Sequence, residues 1–342
     1  MISQILRLIV LASILVLVAC QSIPQPGAAM PAEQNRIVTR VFNPTLDGEW
    51  IGNGISYSAY RDGENPDMQG TTSKQHILED LTLLAKQWKL IRLYGADAQH
   101  QQVLEVIRDH QLPIRVMQGA WISSHHTQQQ NDQQIDKAIE MANAFPRIVV
   151  AVNVGNEIFV DWSAHRIKDM DSVIGYIRKV RANISQPVTV NDDYNFWNKP
   201  RARKIAREVD FIGLHAYAFW NNKTLAEALQ WTKDIYQDIQ RKYPDHLIAY
   251  TETGWPSSRL YDKSFEGKLI GKAGEKEQKI FFQQYNDWVN QNNIISLYFT
   301  SFDEQWKGGF DGPDPEQKAE KHWGVYNSDR TPKLLLQSPG KL

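Results

Sequence analysis

Eight short apolar runs mark the chain from residue 54 onward, and the stretches between them carry helical periodicity. The runs cover residues 54–57, 90–94, 114–117, 148–154, 188–191, 211–215, 247–251 and 295–302. After the first run, Ile77, Leu78, Leu81, Leu84 and Trp88 share one helical face behind a candidate N-cap, Ser73. Residues 98–110, 131–145, 169–184, 200–207, 224–243 and 275–292 behave similarly, and Pro187 and Pro244 follow helix ends as stops. Strand and helix in alternation argue for a parallel sheet, because each helix carries the chain back to where the next strand starts. Eight such units over residues 49–336 predict an α/β fold, a single (β/α)8 TIM barrel. A doubly wound open sheet is the rival, but it wants a glycine-rich turn after the first strand. Ser58-Ala59-Tyr60-Arg61-Asp62-Gly63 stands there instead.

In a barrel, chemistry gathers at the C-terminal ends of the strands. In order, these ends carry Tyr57, then Tyr94-Gly95, Gly119-Ala120-Trp121, Gly155-Asn156-Glu157 and Asn191-Asp192-Asp193. The last three carry His215-Ala216-Tyr217 with Trp220, then Glu252 and Trp255, then Phe302-Asp303-Glu304-Gln305-Trp306-Lys307. Glu157 follows the fourth run and Glu252 ends the seventh, three steps apart on an eight-membered ring, so their ends face each other across the mouth. Two carboxylates over one cleft can divide their roles: each charge raises the other's pKa until one is an acid and one stays ionised. That is the equipment of glycoside hydrolysis, and Asn156 is placed to hydrogen-bond a sugar 2-hydroxyl. Either Glu alone reads as a rim salt bridge; the pair with Asn156 reads as catalysis.

Composition removes other classes. Lys and Arg total 38 against 39 Asp and Glu, a formal net charge of −1, so there is no basic field for nucleic acid. His125-His126 lies in a polar loop without a third ligand, so no metal is expected, and no cofactor either. Of Trp121, Trp197, Trp220, Trp255 and Trp306, two or three are expected to line the cleft and the others to be core. His215 reads equally as a satisfied rim histidine or a site residue.

Residues 1–19 form a signal peptide ending Leu17-Val18-Ala19 before Cys20, the chain's single cysteine. This resembles the lipobox of bacterial lipoproteins and implies lipidation at Cys20, with the protein anchored in the bacterial cell envelope. Gln21, rather than Asp, favours the outer membrane. Residues 20–48 read as the lipidated N-terminus and a tether, and 337–342 as a tail. A monomer is expected.

Several segments together resemble glycoside hydrolase family 17, the β-1,3-glucanase family. They are Ile91-Arg92-Leu93-Tyr94-Gly95, Val154-Gly155-Asn156-Glu157 and Thr251-Glu252-Thr253-Gly254-Trp255-Pro256-Ser257, then Ser301 to Lys307, and Glu320-Lys321-His322-Trp323-Gly324-Val325 before Pro332-Lys333. The resemblance spans about residues 54–333 and implies a retaining β-1,3-glucan hydrolase with laminarin-type substrates. It makes Glu157 the acid/base and Glu252 the nucleophile. Glu304, Lys307 and Glu320 become a supporting polar network, with Tyr94 near the nucleophile. Tyr57, Trp121, Asn156, Asp192, Tyr217, Trp220, Trp255 and Trp306 are assigned to substrate binding, Trp255 as a wall of the sugar site. Gly-Ile-Ser-Tyr-Ser departs from the plant form of the first strand, which leaves the Tyr57 wall open. Glucanosyl transfer is the alternative within the family. Outside it stand a barrel glycosidase for β-1,4 or mixed-linkage glucan and a non-catalytic glucan-binding lipoprotein.

Overall fold

A computed structural model describes residues 37–68, 72–259, 269–307 and 319–337. Cys20, the signal peptide and the tail lie outside the described residues. The two-residue strands β1 (Thr45–Leu46) and β2 (Glu49–Trp50) pair as a small antiparallel hairpin. Eight parallel strands then close a barrel: β3 (Asn53–Ser56), β4 (Leu90–Arg92), β5 (Arg115–Ala120), β6 (Val149–Asn156), β7 (Val188–Asp193), β8 (Phe211–His215), β9 (Leu247–Glu252) and β10 (Ser296–Tyr298). Each pairs with its neighbours in chain order, and β10 closes the ring onto β3.

The helices between them are α1 (Lys74–Leu84), α2 (Ala98–Asp109), α3 (Gln128–Ala144), α4 (Met170–Asn183), α5 (Tyr194–Trp197), α6 (Arg203–Ala206), α7 (Leu225–Lys242) and α8 (Glu275–Gln291). Ser73 accepts from the His76 N–H at 3.2 Å, so the expected cap forms. Thr127 with Gln130, and Thr224 with Glu227, make capping boxes for α3 and α7. The helix expected over 200–207 is instead a three-residue 3-10 turn (Pro200–Ala202) followed by the single-turn α6. Pro200 sets the turn's first position, and β8 begins at Phe211, leaving no room for a longer helix.

The barrel interior changes character from bottom to mouth. Leu90, Met117, Ala151, Phe211, Ala249 and Leu297 form one apolar cluster with Phe42, Leu46 and Ile51, and the Phe42 ring stacks on Phe211 at 4.5 Å. Two residues further along three of these strands, Arg92, Gly213 and Thr251 share that inward face, because strand side chains alternate. A polar layer therefore lies above an apolar plug. The expected tether boundary at residue 48 falls inside this packed region. Arg40 donates to the Gln186 and Arg181 carbonyls at 2.9 and 2.7 Å, so the folded part already includes residues 37–48. Among the described residues, no helix is long and apolar enough to cross a membrane.

Candidate active site

Both acids follow a slip in strand register. From Asn153 to Asn156, β6 advances three residues while its partner advances two, Thr189 to Asn191. From Tyr250 to Glu252, β9 advances two while β8 advances one, Leu214 to His215. One extra residue re-aims the side chain that follows it. The backbone also turns left-handed at Gly155 (φ +85°) and again at Glu157 (φ +50°). The positive φ is what favours glycine at 155, and a Cβ there would also press on Ile158 Cδ1 at 2.5 Å. Glu157 is a non-glycine residue in a sparsely populated region, held by its N–H donating to the Asn191 carbonyl at 2.8 Å. The result is that Glu157, His215 and Glu252 each offer an atom within 4.8 Å of the others.

The Glu252 carboxylate is built to stay charged. Arg92 Nη1 donates to Oε1 at 2.5 Å and the Tyr217 hydroxyl donates to Oε2 at 2.7 Å. Arg92 is fully buried, and all five of its donors find acceptors. Nη1 also reaches the Thr251 carbonyl at 3.2 Å, and Nη2 reaches Asn156 Oδ1. Asn191, oriented with its amide oxygen toward the guanidinium, accepts from Nε at 2.9 Å and Nη2 at 3.1 Å. Gly213 leaves the space: a Cβ there would sit 1.9 Å from the Asn191 side-chain amide. Burial pushes the Glu252 pKa up, but the charge that His215 takes on in acid, then Arg92 and the Tyr217 hydrogen bond, outweigh it and hold it at about 2. Burial drives His215 down to about 4, so near neutral pH it carries no charge and Arg92 is the lasting cation.

Glu157 is pushed the other way. Burial first, then the charges of Glu252 and Asp193, raise its pKa well above the ordinary carboxylate value, with only Arg92 opposing strongly. The two acids titrate as a pair, one a protonated acid and the other an anion. Glu252 already has a fixed cation on one oxygen and a phenol on the other. That donor set suits a nucleophile more than a metal ligand, although this is the cluster tight enough for an ion among the described residues.

Several expected residues lie at this mouth. Tyr217 touches Glu252, and the Asn156 amide oxygen accepts from Arg92, with no bond from its N–H2 among the described residues. The Tyr94 ring lies under the Arg92 guanidinium at 4.5 Å. Lys307 pairs with Glu304 at 2.7 Å and lies over the Phe299 ring at 4.3 Å. Glu320 is raised to about 7, chiefly by burial, which outweighs the Lys307 charge. Trp121, Trp220 and Trp306 are half-buried, while Trp197 is core. Trp121 tilts against His165, and Trp220 against Trp323.

Three assignments are corrected. Tyr57 is fully buried and donates to Asp80 on α1 at 3.2 Å; it shares the outward strand face with Ile55 and points into the helix layer. Asp192 is fully buried and accepts from the N–H groups of Phe159 and Asp193 at 2.8 and 2.9 Å, bracing the loop behind Glu157. Trp255 does not wall a sugar site: it is fully buried against Phe219 and Phe281, and its indole N–H meets the Lys272 carbonyl at 2.9 Å. Strand-end position alone gives no role to Arg92 and none to Asn191, and leaves His215 open between rim and site. A charge inside the apolar run IRLY was the available signal for Arg92, since a buried cation requires a partner. Trp162 stands 61% exposed on the loop after Glu157.

A closed parallel barrel with an acid and an anion facing each other at its C-terminal mouth defines a barrel glycosidase. The BtgE/BtgC glycoside hydrolase domain matches residues 54–324, and the chain belongs to that family. It is 28% identical over 294 residues to a putative glucan endo-1,3-beta-glucosidase, btgC, of Aspergillus niger, covering 80% of this chain and 41% of that one. The chain spans about two fifths of the length of the first curated relatives it matches. An endo-laminarinase from Formosa Hel1_33_131 shares the fold with a TM-score of 0.73 at 23% identity, covering 84% of this chain and 86% of its own. So does a glycoside hydrolase family 17 β-1,3-glucanosyltransferase from Rhizomucor miehei, at 0.66 and 23%, covering 83% and 96%.

Proposed function

We propose that the protein is a retaining glycosidase acting on β-1,3-glucan, with Glu252 as nucleophile and Glu157 as acid/base. The observation that carries this is the approach of the two carboxylates within 4.8 Å, with opposite protonation preferences. A separation near 5 Å leaves no room for a water between sugar and anion, so the anion itself attacks. Glu252 attacks the anomeric carbon while Glu157 gives its proton to the departing glycosidic oxygen. Glu157, now a carboxylate, then takes a proton from water as the water oxygen attacks the same carbon and frees Glu252. Arg92 and Tyr217 hold the attacking oxygens in place, and Asn156 N–H2 offers a bond to the 2-hydroxyl.

The β-1,3 linkage rests on the names of the relatives and on the motifs. A second reading is glucanosyl transfer, in which a sugar hydroxyl replaces water; the glucanosyltransferase among the structural neighbours favours keeping it. Laminari-oligosaccharides, with products followed by mass and linkage, separate the two: hydrolysis gives only shorter chains, transfer also gives longer ones. Absence of turnover on laminarin, with activity on β-1,4 or mixed-linkage glucan, would contradict the linkage. The same proposal places the enzyme as a monomer on the outer membrane through lipidated Cys20. Cys20→Ser should move it from the membrane fraction to the soluble one, and retention there would oppose the anchor.

A further inference from the structure

His215 stands between the two acids. It is fully buried, and its Nδ1 lies 3.0 Å from Glu157 Oε1 and 3.5 Å from Glu252 Oε2. Its Nε2 has no hydrogen-bond partner among the described residues. This fixes the tautomer: a proton on Nε2 would be a buried donor without an acceptor, whereas on Nδ1 it faces two carboxylates. The groups facing the ring's surroundings are Glu157 after β6, Asp193 at the end of β7, Glu252 on β9 and Arg92 on β4, with Tyr217 completing the contacts to Glu252.

We infer that His215 is a positioning residue whose single Nδ1–H, shared between the carboxylates, sets the proton state of Glu157 for each half of the reaction. This rests on the double displacement proposed above. In the free enzyme Glu252 is the charged neighbour and draws part of that hydrogen bond, so Glu157 keeps its proton for the leaving oxygen. Once Glu252 becomes a glycosyl ester it is neutral and a poorer acceptor. The Nδ1–H then turns wholly to Glu157, stabilises its anion and prepares it to take the proton from water. The ring neither gains nor loses a proton in the cycle, which suits a histidine held neutral by burial.

Two amide variants separate this role from packing. In H215N the amide nitrogen falls where Nδ1 was; in H215Q it falls where Nε2 was, and the bond to Glu157 is lost. The Glu157 carboxyl is titrated by 13C NMR in wild type and both variants, and turnover of dinitrophenyl β-laminarioside is followed before steady state. H215N is expected to keep the wild-type Glu157 midpoint. H215Q should raise it by roughly one pH unit. H215Q should also show a burst followed by about tenfold slower turnover, because that leaving group needs no acid and only the second half-reaction suffers. Equal Glu157 midpoints in H215N and H215Q would overturn the inference. So would 15N shifts placing the wild-type imidazole proton on Nε2, which requires no variant. The NMR titration needs no substrate, so a wild type inactive on the laminarioside would contradict the proposed substrate and leave the role of His215 separately decided.

Discussion

Arg92 is the residue on which the charge balance of the mouth depends. A buried guanidinium with all its donors occupied holds Glu252 ionised, and removing one member of such a pair leaves an uncompensated charge. Arg92→Leu should raise the Glu252 midpoint from about 2 toward the ordinary value of 4.5 and lower kcat at least 100-fold, with a stability loss of about 3 kcal/mol or more. A pH–rate profile and a denaturant titration read both. Arg92→Lys should not rescue, because a point charge cannot replace the fork. Glu157 carries the opposite sign. Its folded pKa lies above the unfolded value near 4.5, so stability present below that pH is lost as pH rises through the folded pKa. Glu157→Gln should therefore raise Tm by a few degrees at pH 8 but not at pH 4, while turnover of poor leaving groups collapses; melts at both pH values check it. Glu252, with its depressed pKa, contributes stability above 4.5 that is lost toward 2. At this scale the sequence was partly legible. Glu157 and Glu252 stand out because strand ends are read as functional, but nothing local tells that Arg92 points inward or that Trp255 points away.

The strands and helices were the most legible level, because strands covered on both faces read as apolar runs and amphipathic helices read as a stripe. All eight barrel strands coincide with the expected runs, although β10 keeps only Ser296–Tyr298 of 295–302. What the runs conceal is parity. Proximity to a strand end suggests Tyr57 and Asp192 for the cleft, yet side chains alternate, and both lie on the wrong face for it. The register slips before Glu157 and Glu252 are invisible in one dimension, since they depend on the partner strand. Gly213 tests this level. A methyl group at Gly213→Ala would strike the Asn191 amide and, through it, displace Arg92, so kcat should fall at least tenfold with a lower Tm. Unchanged turnover would mean the Asn191–Arg92 arrangement is not needed. The loop after β6 offers a second test. Its backbone is pinned by Ile167 N–H to the Ile158 carbonyl at 2.8 Å and by Ser124 N–H to the His165 carbonyl at 3.1 Å, yet it leaves Trp162 exposed. Trp162→Ala should raise KM for long laminari-oligosaccharides several-fold and leave short ones unaffected, as measured across a length series.

At the scale of the whole molecule, the barrel separates stability from chemistry. An apolar plug of Phe42, Phe211 and their neighbours closes the bottom, while the polar layer above it, with Arg92 at its centre, supports the mouth. The segment after β10 is strapped back by buried ion pairs: Arg330 grips Asp80 on α1, and Lys333 reaches Asp303 at 2.6 Å. Asp303 in turn accepts from the Gly324 N–H at 2.9 Å, fixing the stretch that presents Glu304 and Lys307. Under the proposed mechanism Glu252 bonds covalently to the sugar while Glu157 handles the proton. Trapping with a 2-deoxy-2-fluoro glucoside that has an activated leaving group, followed by peptide mass mapping, tests it most directly. One added fluoroglycosyl group is expected on the peptide containing Glu252, and none in Glu252→Gln. Label on Glu157, or an active enzyme that turns over without ever carrying label, would contradict it.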